Sequence, residues 1–114
     1  MTTVSLLSEK LKKKFKNLKI LDFGIGVEQN SFKFFSKSSY IPKLYTVAYA
    51  LSIAASGNAN KILLAGFDGY NKKDRRLKIV EDIFYNFNLS KGSKPVVAIT
   101  PSAYNIKKKS IYTL

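Results

Sequence analysis

KILLAGFDGY, residues 61–70, is the stretch that decides the fold. Ile62 to Phe67 is a nearly continuous apolar run, the pattern of a strand whose sheet is covered on both faces, as parallel sheets are. Asp68-Gly69 ends it as a turn, with glycine supplying the backbone freedom. Upstream, Pro42 to Ser56 reads as a helix with proline in its first turn and Gly57 at its C-terminal cap. Downstream, Asn71 opens a third helix, with Asp74 three residues on in a capping-box arrangement. Leu77, Val80, Phe84 and Phe87 form its inner stripe. Pro95 to Thr100 (PVVAIT) is the next strand, stopped by Pro101.

Toward the N-terminus, Ser5 to Asn17 reads as an amphipathic helix. Leu7, Leu11, Phe15 and Leu18 share a face against a sheet, and lysines occupy the rest. Lys19 to Ile25 (KILDFGI) reads as a strand, with Gly24 and Gly26 as a turn after it. A dinucleotide fingerprint would need glycine at position 29, where Gln29 stands. Val27 to Tyr40 reads as an irregular segment, with or without a short strand, anchored by Phe32, Phe34 and Phe35. Ser110 to Tyr112 reads as a short edge strand. The alternation of helix and strand predicts an α/β chain: one small Rossmann-like three-layer domain over residues 1–114. Its mostly parallel sheet has three or four strands, with the KILLAGF strand central.

Composition narrows the chemistry. The 114 residues suffice for one hydrophobic core. There is no cysteine and no histidine, so thiolate metal sites, disulfides and the commonest general base are excluded. No Asp-rich loop holds calcium or magnesium, and neither a metal nor a cofactor is expected. The start lacks the charge order of a signal peptide. The weakly polar run Leu44 to Ala55 is far short of the ~20 residues of a membrane span. A cytoplasmic protein without membrane contact is expected. Net charge is +13, from 20 basic and 7 acidic residues. That excess fits a solvated lysine surface, a polyanion partner or a charged protein interface. Only Arg75 and Arg76 carry the forked guanidinium that phosphate and base readers favour.

Ligands of open parallel sheets bind beyond the carboxyl ends of the strands. The candidate site is therefore Gly24, Gly26, Ser39, Lys43, Thr46, Asp68, Gly69 and Tyr70, joined at the rim by Thr100 to Ser102. Hydroxyls, an ammonium and the amides of a helix start suit a phosphate or carboxylate, although Pro42 removes one amide donor. Ser39 and Thr46 otherwise serve the helix start or the core. Asp68 either takes a sugar hydroxyl pair, a metal or a proton, or accepts amides of its own turn. Asp22 is a second carboxylate, mid-strand. Tyr45, Tyr49, Tyr70, Tyr104 and Tyr112 either stack on a base or sugar or pack the core. No catalytic residue is assigned. The expected ligand is a small anionic metabolite or nucleotide-sugar. A basic nucleic-acid-binding protein and a small independent enzyme using Asp68 are the alternatives.

Two resemblances bear on this. Thr46-Val47-Ala48-Tyr49, its small-residue helix and KILLAGFDGY resemble the bacterial sialyltransferase pattern over residues 45–70. That pattern belongs to a Rossmann-like domain binding a CMP-sugar donor. The resemblance implies donor phosphate near Thr46 and a cleft at Asp68 and Tyr70; the histidine base of those transferases has no counterpart here. Leu21 to Gly24, Ile41-Pro42, Tyr49 to Leu51, Ala65 to Tyr70, Ile99 to Tyr104 and Ser110 to Tyr112 are similar to the C-terminal domain fused to HMG-CoA-lyase-like aldolases. That likeness spans nearly the whole chain. It implies an accessory domain with an aldolase partner or domain and no lyase chemistry of its own. A homo-oligomer is a further expectation.

Overall fold

The computed structural model describes residues 8–113. The start of the expected first helix, residues 5–7, lies outside them. From Ser8 on, that helix is short: α1 is Glu9–Lys14, capped where Ser8 Oγ accepts the Leu11 amide at 3.3 Å. None of its residues is buried, so it does not cover a sheet as expected. Lysines at 10, 12, 13 and 14 place like charges one turn apart, and so short a helix has little stability of its own.

The strands divide between two sheets where one was expected. In the mixed sheet, β1 (Gly24–Val27) runs parallel to β3 (Ser38–Ile41), and β2 (Lys33–Phe34) pairs with β3 antiparallel. The expected strand Lys19 to Ile25 is displaced toward the C-terminus. Gly24 pairs with Ser38, the first residue of β3, so residues 19–23 have no ladder to join and are irregular. Asp22 therefore precedes the strand. The segment 27–40 holds two short strands.

The second sheet is all parallel, in the order β4 (Ile62–Leu64), β5 (Val96–Ala98), β6 (Lys107–Lys108). The KILLAGF strand is β4, and it lies at an edge. The central strand is β5, all three of whose residues are buried. The apolar run of β4 reflects a strand covered on its inner side; Leu63 is 40% exposed. The last strand is β6, and the expected edge strand Ser110 to Tyr112 falls on a 3-10 turn, Ile111–Thr113. The class is thus mixed α/β.

Two longer helices join the sheets. The second, α2 (Thr46–Ser56), buries Ala48, Leu51, Ser52 and Ala55 against β2, β3 and the third helix. It begins four residues after Pro42, which lies outside its first turn. The third, α3 (Arg75–Leu89), turns Val80, Ile83, Phe84 and Phe87 inward. Phe32, Ile41, α2, α3, Val96 and Tyr104 form one contiguous core. Phe87 sits at its centre, edge-on to Phe32 and Phe34. Among the described residues, no helix is long and apolar enough to cross a membrane.

The cap of α3 is Asp74, where Asn71 was expected. Asp74 Oδ1 accepts the Arg76 amide at 2.9 Å, and both carboxylate oxygens accept the Arg76 guanidinium. Asn71 instead caps the preceding turn through the Lys73 amide. The hydrogen bonds from Arg76, side chain first and then backbone, hold the Asp74 carboxyl down at about 2. A depressed carboxyl stabilises the fold above its ordinary pKa of 3.8 and loses that contribution as pH falls through about 2. We therefore expect Asp74→Asn, which keeps a capping side chain, to show a smaller fall in melting temperature between about pH 4 and pH 2 than the parent chain. Parallel melting curves by circular dichroism over that range decide it; identical pH profiles would show that the Asp74–Arg76 pair contributes nothing.

Candidate functional site

The carboxyl end of β4 and the amino end of α2 meet around a concavity of about 420 Å³. Its wall is the chain from Gly66 to Tyr70, opposite Tyr45, Thr46 and Val47, with Val80 and Tyr104 completing the lining. The wall is shaped by two glycines in the left-handed region. Gly66, at φ 68°, turns the chain out of β4, and its amide donates to Thr100 Oγ1 at 2.8 Å. Gly69, at φ 100°, lies against Ala103 and Tyr104, where an added Cβ would stand 3.0 Å from the Ala103 Cβ. The Ala103 amide donates to the Asp68 carbonyl at 2.6 Å. These bonds tie the turn after β4 to the segment after β5.

The Asp68 side chain is left outside this network. It is exposed, and among the described residues its carboxylate accepts no hydrogen bond and forms no ion pair. Of the two roles its sequence position allowed, the internal turn acceptor is absent. The α2 terminus is similarly open. Its N-cap is Tyr45, whose side chain makes no capping hydrogen bond, so the first-turn amides keep their donors and the positive end of the helix dipole.

Aromatic rings line the rest. Tyr104 is buried between Phe67 and Phe84, with ring centroids 5.2 and 5.7 Å away. Burial raises its hydroxyl above the usual range, opposed by a hydrogen bond from the Tyr70 backbone. Tyr70 is half-buried, and the Arg76 guanidinium carbon lies 4.3 Å from its ring centroid, a cation–π contact. The bond to Asp74 raises the Arg76 pKa, with Tyr70 and Tyr45 adding smaller attractions. Arg76 thus stands at the border of the site as a fixed positive charge.

Four of the eight expected site residues come together here: Thr46, Asp68, Gly69 and Tyr70. Gly24, Gly26 and Ser39 do not. They line a separate depression of about 170 Å³ on the mixed sheet, with Ser38 and Tyr40. Ser39 is part of β3, and its buried hydroxyl has no hydrogen-bond partner among the described residues. Lys43 lines neither. The expectation of one rim assumed one sheet, and two sheets divide it. Asp22 lines a third concavity with Phe23 and Tyr49, so it does not pair with Asp68. Among the described residues, no three acidic side chains gather to hold a metal. Arg76 was missed; the one signal for it was the pairing of the chain's two arginines immediately after the Asp74 cap. Compared with protein-family models, with curated proteins and with solved structures, the chain matches none.

Proposed function

We propose that this chain binds a small anionic metabolite carrying an aromatic or sugar ring, of the nucleotide or nucleotide-sugar class. The observation that carries the reading is the convergence of three complementary groups on one 420 Å³ concavity. The uncapped α2 terminus offers amides and a partial positive charge to a phosphate. Tyr45 and Tyr70, which are only partly buried, offer ring faces and edges to a base or sugar. The unpaired Asp68 carboxylate accepts from a pair of sugar hydroxyls. The strands β4 and β5 are parallel and joined through α3, and the carboxyl end of such strands is where ligands sit in open parallel sheets.

In this reading the domain binds and does not transform its ligand. It works beside an aldolase or sugar-transfer enzyme, as the two sequence resemblances imply. A single unpaired carboxylate with no histidine supplies no acid–base couple.

The test is titration calorimetry with CMP, CMP-sialic acid and a sugar phosphate. Binding of at least one is expected, with Asp68→Asn weakening the sugar-bearing ligands roughly tenfold or more, as loss of a charged hydrogen-bond acceptor does. Because the Asp68 side chain holds no bond in the fold, the melting temperature of Asp68→Asn should stay within a degree or two of the parent's, roughly the error of surface substitutions. No heat at millimolar ligand would sink the nucleotide-sugar reading; a large loss of stability in Asp68→Asn would return Asp68 to a structural role.

A further inference from the structure

The mixed sheet has α2 on one face and open solvent on the other. Strand pairing sets two rows on the open face. One holds Gly26, Tyr40 and Lys33; the next holds Gly24, Ser38 and, one residue past β2, Phe35, whose amide donates to the Ser38 carbonyl at 2.9 Å. Ser39 and Ile41, which alternate with these residues along β3, are buried. Tyr40 is 43% exposed and Phe35 52%. The Tyr40 ring lies over Gly26, where an added Cβ would come within 2.6 Å of Tyr40 Cε1. Glycine at 26 is what lets that ring lie along the sheet. Phe35 meets Tyr40 edge-on, with centroids 6.4 Å apart and planes at 78°.

Phe35 also forms the near wall of a concavity of about 590 Å³ that contains Lys33, Lys91 and Lys94. Lys33 pairs with Glu28 at 2.9 Å; Lys91 and Lys94 have no carboxylate partner among the described residues. The solvent-shielded Ser56 hydroxyl in the same lining has no hydrogen-bond partner there either. Residues 29–67 and 83–114, which supply both features apart from β1, contain no acidic residue. Two exposed rings beside unneutralised lysines are the two parts of a surface for unpaired nucleic acid: base faces stack on aromatics, and phosphates follow the positive charge.

We propose that this face binds single-stranded nucleic acid without sequence preference. One base stacks on Tyr40, a neighbouring base stacks on Phe35, and the backbone runs toward Lys91 and Lys94. A duplex does not fit. Its base faces are occupied, and two rings whose planes lie at 78° call for neighbouring bases splayed apart, as only an unpaired strand allows. Lysines act as point charges and lack the fork that reads base edges, so affinity is sequence-tolerant. The site is separate from the concavity at Asp68 and stands whether or not that one takes a nucleotide.

Fluorescence anisotropy with a short labelled oligo-dT, its duplex with oligo-dA and a mixed-sequence strand tests this in the full chain. The two single strands should bind alike and the duplex at least roughly tenfold more weakly, since base stacking is denied to it. Phe35→Ala and Tyr40→Ala should each weaken binding roughly tenfold. Phe35→Leu and Tyr40→Leu, which keep apolar bulk, should repeat the loss at an unchanged melting temperature. Lys91→Gln with Lys94→Gln should reduce the log–log salt slope by about 1.4, at ~0.7 per phosphate contact on a single strand. Lys107→Gln with Lys109→Gln removes equal charge at the other sheet and should leave the slope unchanged. Equal affinity for duplex, full affinity in the leucine variants, or an equal slope change from positions 107 and 109 would each overturn the proposal. So would a stable dimer in sedimentation that Phe35→Ala dissociates, which would assign the face to a second copy of the chain.

Discussion

Phe87→Ala should melt far below the parent chain, on the order of 15 °C or more lower. Phe87 has no exposed surface and meets both Phe32 and Phe34 edge-on, at 5.3 and 5.7 Å. Removing a buried phenyl costs about 3–5 kcal/mol, because the transfer energy and a cavity are lost together. A small domain holds only about 5–15 kcal/mol in all, and each kcal/mol shifts the midpoint by several degrees at this size. The rings at 32, 34 and 87 are where α3 is tied to the hairpin of β2 and β3. The variant should therefore lose the mixed sheet and not merely soften. Thermal melts followed by circular dichroism measure it. Leu44→Ala, at a side chain 75% exposed, is the matched control and should change little. A Phe87→Ala melt within a few degrees of the parent would mean that the core is not built around this residue.

Thr46→Pro carries the second large effect, on binding. Thr46 is the first residue of α2, and Tyr45 before it has φ −116° and ψ 143°, a conformation that a following proline favours. Proline is at home in the first helical position because its missing amide is one the helix does not use. The substitution should therefore leave the fold intact while removing one donor amide and one hydroxyl from the edge of the concavity. Hydrogen bonds to a charged group are worth about 1.5–3 kcal/mol each, so with both lost the affinity for CMP or a sugar phosphate should fall roughly a hundredfold or more. Thr46→Val keeps the amide and should show only the hydroxyl's share. Calorimetry on the three chains separates the two. Unchanged affinity in Thr46→Pro would mean that no anion sits at this helix end, whatever else occupies the site.

What the sequence made legible was local. The helices α2 and α3 and the strand β5 were readable because small-residue and 3.6-residue apolar patterns or an apolar run are written within the segments themselves, although Pro42 proved to lie ahead of α2. That Thr46 and Asp68 to Tyr70 lie at a helix start and a strand-ending turn was readable for the same reason, and the fold brings them to one concavity. What was not legible depended on partners. The first strand lies at Gly24–Val27 because β3 is only four residues long and begins opposite Gly24. The two strands within 27–40 were obscured because serine, lysine and phenylalanine alternate there by face, with Ser39 turned inward and Tyr40 outward. That β4 is an edge and β5 the centre depends on which strands meet, and both segments are equally apolar. Splitting the strands between two sheets then separated Gly24, Gly26 and Ser39 from Asp68. Arg76 was hidden because it reaches back over Tyr70 from the first turn of α3.

The edge position of β4 has a bearing on self-association. An edge strand offers unpaired backbone groups to any passing chain, and Ile62-Leu63-Leu64 is the kind of segment that invites cross-strand growth. Here the invitation is three residues long. Lys61 guards one end with a charge, and Gly66, at φ 68°, turns the backbone away from extended geometry soon after the other. The glycine that opens the wall of the binding concavity thus also cuts short a template for fibre formation. A side chain at 66 would meet no neighbour, so what is guarded there is the direction of the chain and not its packing.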